Sequence, residues 1–202
     1  MNIVRHINHF VDLDVLNKDS VVVDAGTCRG AFIKFLKEHS AIQDKNICAI
    51  EPCRGNHEVF LQDVPYVLFK GSLVGAEHSK PTVRFQEFVG LPGWGNSFAW
   101  YGDAKREDLK EVKEYDVPVL RVTDLFTHFG IDRIDYLKLD IVGMEKSVLE
   151  TMPAEMIKQV RQVSIEVYTK KWRLDDVRLK LKSLGFGTIV DTRTNEVYGI
   201  RL

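Results

Sequence analysis

The sequence predicts a doubly wound α/β fold: a mostly parallel seven-stranded sheet, helices on both faces, and an antiparallel hairpin at its C-terminal edge. Three observations carry this. Short β-branched runs such as SVVVDAG (20–26) and ICAIEP (47–52) recur and stop at Gly or Pro. Amphipathic segments alternate with them, which demands parallel pairing and a sheet covered on both sides. The last two runs, FGTIVDTRT and EVYGIRL, flank a tight turn at Thr194–Asn195. Right-handed crossovers in such a sheet gather ligands above the carboxyl ends of the strands.

The elements follow in order. Val4, Ile7, Phe10 and Val11 recur at helical spacing, which predicts a helical segment within 1–19. After the strand at 20–26, GAFIKFLKEH (30–39) places Phe32, Phe35 and Leu36 on one helical face. The strand at 47–52 precedes a short helix at 56–63. PYVLFKGSL (65–73) reads as one strand, and TVRFQEFV (82–89) as another outside the main sheet. REDLKEVKEY (106–115) reads as a polar helix and VPVLRV (117–122) as a short extended segment. IDYLKLDI (134–141) is a strand, MEKSVLETM (144–152) a helix stopped by Pro153, and QVSIEVYT (162–169) a strand. In WRLDDVRLKLKSLG (172–185), Leu174, Val177, Leu181 and Leu184 share a face, with Gly185 as C-terminal cap. No composition shift divides the chain, so 1–202 is expected to be one domain.

Composition narrows the function. The 202 residues hold 28 basic and 29 acidic side chains, a net charge of −1, so nothing in the charge balance calls for nucleic acid. Cys28, Cys48 and Cys53 form neither a disulfide framework nor a zinc set, and no metal is expected. The N-terminus lacks a signal peptide's apolar core, and no run reaches membrane-spanning length. A cytoplasmic protein with no membrane partner is the expectation. Oligomeric state is open.

DAGTCRG (24–30) lies where the first strand of the alternation hands over to its helix. Glycine there permits unusual backbone angles and close approach of a ligand. The pattern is not GxGxxG, because Cys28 and Ala31 follow Gly26 at the critical positions. A pyrophosphate needs that unobstructed helix start. S-adenosylmethionine, which lacks phosphate, does not. Glu51 ends the next strand, 21 residues after Gly30, where a carboxylate accepts hydrogen bonds from ribose hydroxyls. Asp24 orients the loop or approaches the donor's ammonium, and Arg29 pairs with its carboxylate. Ala25, Gly26, Thr27, Gly30 and Pro52 complete the expected contacts on these two segments.

A second polar group lies further along. Lys138 and Asp140 share a face of an otherwise apolar strand, and a buried Lys requires a partner. Glu145 follows on the next helix, and Glu166 interrupts the neighbouring strand. These four residues are candidates for a methyl-transfer centre or a structural ion-pair network. Methyl transfer needs donor and acceptor aligned, and a group that takes the acceptor's proton. Between the two sites, residues 90–103 combine Trp94, Phe98, Trp100 and Tyr101 with glycines. Trp94 and Trp100 are candidates to cover an acceptor ring, and Asn96 and Ser97 to bond its hydroxyls; the alternative is a loop folded onto its own domain or onto a second subunit.

These motifs resemble the FkbM family of methyltransferases over roughly residues 20–186. DAGTCRG resembles the family's D-x-G-A-N-x-G loop, and AIEP its second-strand E-P. GSLVG resembles the segment near the adenine, which implicates Ser72 and Leu73. IDYLKLDIVGMEKSVL resembles I-D-x-x-K-x-D-x-E-G-x-E-x-x-V-L, and IEVY and KSLGF resemble later blocks. The resemblance implies a donor site at Asp24, Gly26, Gly30 and Glu51, with Asp140 near the methyl group. It also implies O-methylation of a small-molecule or carbohydrate hydroxyl. Cys28 stands where Asn is usual, Thr123 where Asp is common, and Val142 where the block has its first Glu. The alternatives are an inert binder of the methyl donor and a nucleotide-dependent oxidoreductase.

Overall fold

The computed structural model describes residues 2–60, 67–89, 97–98, 111–168 and 172–201. At its centre is a seven-stranded sheet built from β3 (Val22–Ala25), β4 (Ile47–Ile50), β5 (Val67–Phe69), β10 (Ile134–Leu139), β11 (Val160–Glu166), β12 (Gly187–Asp191) and β13 (Glu196–Ile200). Their spatial order is β12-β13-β11-β10-β3-β4-β5. The five strands from β11 to β5 are parallel, and β13 joins β11 and β12 antiparallel. The chain therefore runs outward from β3 in one direction and from β10 in the other. A crevice opens at that reversal, over the carboxyl ends of β3 and β10.

Both faces of the sheet are covered, which is why its strands read as unbroken apolar runs. On one face α1 (Ala31–His39) buries Phe32, Ile33 and Leu36 against Val22, Ile47, Ala49 and Tyr136. On the other, α3 (Leu125–Phe129), α4 (Glu145–Thr151), α5 (Ala154–Lys158) and α6 (Leu174–Ser183) pack against Val23, Leu137, Leu139, Val163 and Ile165. Alternate residues of each strand thus serve opposite layers. The last turn of α6 closes at Gly185, φ +85°, whose amide donates to Lys182 O. Pro153 ends α4 and starts α5, a turn of helix that the sequence did not signal. A short α2 (Arg54–Phe60) follows β4 as expected.

Three expectations need correction. Residues 3–12 form a β-hairpin, β1 (Ile3–His6) and β2 (His9–Asp12), in place of a helix. Helical spacing of four apolar residues lost to tertiary contacts: β2 lies against polar side chains standing on the main sheet. Phe10 N donates to Glu196, Asp12 N to Gln162, and Phe10 O accepts from Tyr136 Oη at 2.9 Å. Asp12 and Gln162 are 150 residues apart, so no local pattern announces the contact.

Second, residues 65–73 do not make one strand. The chain turns at Gly71, whose amide donates to Phe69 O, and β6 (Ser72–Val74) joins a separate sheet. That sheet has the order β6-β9-β7-β8, with β7 (Thr82–Val89) and β8 (Ser97–Phe98). Third, the described part of the polar stretch 106–115 is strand: β9 runs Glu111–Arg121 and pairs with β7 from Thr82↔Pro118 to Val89↔Glu111. Eight consecutive register pairs outweigh the helical preference of Glu and Lys, because strand formation depends on neighbours.

Tyr136→Phe is expected to lower unfolding free energy by about 1 kcal/mol, since the Phe10 carbonyl loses its buried partner. Urea titration of both proteins measures it, and hydrogen exchange should locate the loosening in β1 and β2.

Candidate active site

The loop after β3 is shaped by its neighbours. Gly26 N and Thr27 N both donate to Ile50 O at the end of β4, at 2.9 and 3.2 Å. Gly26 has φ +81°, and a Cβ there would stand 1.8 Å from the backbone oxygen of Asp140. The glycine is therefore demanded by the close approach of the segment after β10. Cys28 also has positive φ, and its amide donates to Glu51 Oε2 at 2.7 Å. Gly30, φ +74°, then turns the chain into α1.

Beneath this loop lies an ion cluster. Lys138 Nζ reaches Gly26 O at 2.7 Å, Asp24 Oδ1 at 3.0 Å and Asp140 Oδ2 at 3.4 Å. Burial opposes its charge, but Asp24 and Asp140 hold its pKa above the ordinary lysine value. Burial likewise opposes ionisation of Asp140, yet Lys138 and His9 hold its pKa below the usual value. Asp24 also accepts from Thr27 Oγ1 at 2.9 Å. One cation thus ties the ends of β3 and β10 together.

His9 arrives from the hairpin. It is 4% exposed, its Nδ1 is 3.1 Å from Ser164 Oγ, and its Nε2 is 3.6 Å from Asp140 Oδ2. Glu166 accepts from Asn8 Nδ2 at 3.3 Å. Burial and the nearby Asp140 charge raise the Glu166 pKa. His9, Asp140 and Glu166 offer ligand atoms that all lie within 4.8 Å of one another.

A cavity of about 520 Å³ joins these parts. Of the expected cofactor contacts, Gly26, Thr27, Arg29, Glu51, Pro52, Ser72, Leu73 and Asp140 line it. Asp24 and Ala25 are fully buried behind the wall, Asp24 under the loop and Ala25 in the core, and Gly30 serves as the helix cap. Of the expected catalytic residues, Lys138, Asp140 and Glu166 line the cavity. Glu145 is spent elsewhere. Its carboxylate accepts from Ile141 N at 3.2 Å and Gly143 N at 2.8 Å, and burial pushes its pKa up to about 8. It holds the turn after β10, in which Val142 has φ +35°. A β-branched residue is strained there, at a cost of about 1–3 kcal/mol. Val142 itself lines the cavity, so an apolar side chain stands where the resemblance expects a carboxylate.

Trp94, Asn96 and Trp100 lie outside the described residues, as does most of the segment 90–103. The backbone of Ser97 pairs with Gln86. Sequence reasoning missed His9, Asn8, Phe32, Phe85 and Tyr168, all of which line the cavity. One signal was present: Gln162, Ser164 and Glu166 alternate on a buried strand, which marks a polar face awaiting a partner.

A reversal-point crevice, a glycine turn without the pyrophosphate fingerprint and an acid ending the second parallel strand define a class I methyltransferase-type domain. The chain belongs to the FkbM methyltransferase family, whose domain model matches residues 24–187. That membership implies the capacity to bind S-adenosylmethionine. The chain is 25% identical to "Methyltransferase sdnD" of Sordaria araneosa, over 89% of this chain and 78% of that protein. It is 26% identical to "Methyltransferase 1" of Beauveria bassiana, over 92% of this chain and 79% of that protein. The crystal structure of methyltransferase FkbM from Methylobacillus flagellatus superposes with a TM-score of 0.55 at 18% identity. The match covers 92% of this chain but 44% of that one, and shows the shared fold. No helix among the described residues is long and apolar enough to cross a membrane.

Gly26→Ala is expected to cost about 3 kcal/mol or more, because backbone atoms must move and the positive φ is disfavoured. Glu145→Ala should cost about 1–3 kcal/mol by leaving buried amides unpaired. Urea-unfolding curves give both values; a Gly26→Ala protein as stable as the parent would contradict the close packing of the two strand ends.

Proposed function

We propose that this chain transfers the methyl group of S-adenosylmethionine to a hydroxyl oxygen of a small-molecule or carbohydrate acceptor. The observation that carries the reading is the single cavity running from the glycine turn and Glu51 to Asp140 and Glu166. Its volume lies in the range of small-molecule sites.

The residues fit the cofactor. Glu51 is 4% exposed, and its Oε1 accepts from Cys53 N and Asn56 Nδ2 while Oε2 accepts from Cys28 N. A carboxylate has about four lone-pair sites, so capacity remains for a ribose hydroxyl on the cavity side. Pro52, Ile50, Leu73 and Phe85 supply apolar walls for an adenine. The carboxylates of Asp140 and Glu166 would offset the positive charge of the cofactor. When bound, S-adenosylmethionine supplies an electrophilic methyl group on a cationic sulfur.

The chain's own residues do the rest. Lys138 fixes Asp140 at the mouth of β10, and Phe32 and Ile141 exclude water beside it. Asp140 and Asn8 align a hydroxyl, and Glu166, whose pKa is raised, accepts its proton. With Glu51, Asp140 and Glu166 along the wall, a polyanion such as nucleic acid is a poor acceptor. Cys28 is no rival nucleophile, because burial pushes its thiol up to about 11.

Two outcomes test this. Transfer of labelled methyl to a hydroxylated acceptor should be lost in Asp140→Ala while donor binding persists; full turnover in that variant, or calorimetric binding of NAD in place of the donor, sinks the reading. Glu51 gives a second handle. Burial pushes its carboxyl up to about 7, so below that pH the free protein holds a proton there. The ionised form is the better acceptor for ribose hydroxyls. Donor affinity should therefore rise with pH up to about 7, by at most about tenfold per unit, and level off above it. Glu51→Gln should weaken binding by about tenfold or more at pH 8 and flatten that pH dependence.

A further inference from the structure

The floor of the cavity carries an arrangement that methyl transfer alone does not require. Ser164 Oγ donates its proton to Glu196, a fully buried carboxylate. The Ser164 oxygen is then an acceptor, so His9 Nδ1, at 3.1 Å, must be the donor. In the neutral ring this leaves the lone pair on Nε2. That lone pair faces the cavity and stands 3.6 Å from Asp140 Oδ2, beyond hydrogen-bond length. Nε2 facing carboxylates therefore needs a cation between them, either its own proton or a metal ion.

We propose that His9 Nε2, Asp140 and Glu166 form a binding site for a divalent cation of the Mn²⁺ or Mg²⁺ class, open toward the cavity. The donor set of one imidazole and two carboxylates suits such ions. Metal–ligand bonds of about 2.1 Å put ligand atoms roughly 3.0–4.2 Å apart in an octahedron. The 3.6 Å His9–Asp140 separation lies inside that span, and the cluster's 4.8 Å limit lies a little beyond it. The chain Glu196–Ser164–His9 is the outer support that metal-binding histidines use to fix tautomer and ring orientation. Lys138 does not fill the place. It is anchored by Gly26 O and Asp24, and its contact with Asp140 is its longest at 3.4 Å.

Charge points the same way. Among the described residues, Asp24, Asp140, Glu166 and Glu196 crowd around the ammonium of Lys138 and the imidazole of His9. A divalent ion offsets most of the excess. Its open positions would take oxygens of the acceptor; that role, unlike the site itself, rests on the methyl-transfer reading.

The test uses the full chain freed of metal with a chelator, and Mn²⁺ alone as probe. Calorimetry should show one Mn²⁺ per chain, and pulsed electron paramagnetic resonance should show coupling to an imidazole nitrogen. His9→Gln and Glu166→Gln should each weaken Mn²⁺ binding by about 100-fold, and Ser164→Ala by about 10-fold. Absence of saturable Mn²⁺ binding, or binding without nitrogen coupling that survives both ligand substitutions, overturns the proposal and leaves a protonated His9 as the cation. The nitrogen signal is read on the unsubstituted protein, so a misfolded variant does not blunt the test. Calorimetry with S-adenosylmethionine is separate: donor binding without Mn²⁺ binding rejects only the cation site, and the reverse rejects only the methyl-transfer reading.

Discussion

Lys138 holds the two halves of the sheet in one functional geometry. Its ammonium is buried between the ends of β3 and β10, where the chain reverses its direction of growth across the sheet. An ammonium in that position is costly unless fully engaged. It is engaged by a carbonyl from the glycine turn and by a carboxylate from each strand. The same contacts bring Asp140 O so near Gly26 that no side chain fits there. The glycine turn, the cluster and the cavity wall are thus consequences of one ion in one place.

The N-terminal hairpin turns that frame into a site. The main sheet carries Gln162, Ser164, Glu196 and Tyr136 on one face, groups that an uncovered interior could not tolerate. The hairpin meets Gln162, Glu196 and Tyr136 with its backbone and Ser164 with His9, and it delivers Asn8 and His9 to the cavity. Structural need and chemistry are joined here. The polar face that anchors β2 also fixes which nitrogen of His9 faces the crevice. On the opposite wall, Glu51 is held by three donors, and this rigid carboxylate is set before any ligand arrives.

Much of the candidate site's lining was legible because it lies in local patterns. DAGTCRG, the Glu51 position and KLDIVGME each sit at a strand end, and strand ends are visible as the stop of an apolar run. What was misread depended on partners far away. Val4, Ile7, Phe10 and Val11 look helical in isolation, and β9 looks helical over its charged half. Both became strands because register pairs and side-chain acceptors elsewhere took up their backbone groups. Glu145 was placed correctly at the start of a helix, but only the folded turn shows its carboxylate occupied by two loop amides.

The sequence by itself determined the alternation of strand and helix, the buried two-sided sheet, and the glycine and acid at two strand ends that line the cavity. Those features follow from hydrophobic period and turn chemistry, which act over a few residues. Only the tertiary structure decided which side of the sheet residues 3–12 cover, that His9 meets Asp140 and Glu166, and that Asp24 faces Lys138 and not the cavity. Such meetings depend on where distant segments pack, and the energy that selects them lies in pairing buried polar groups across the fold, which no short window of residues contains.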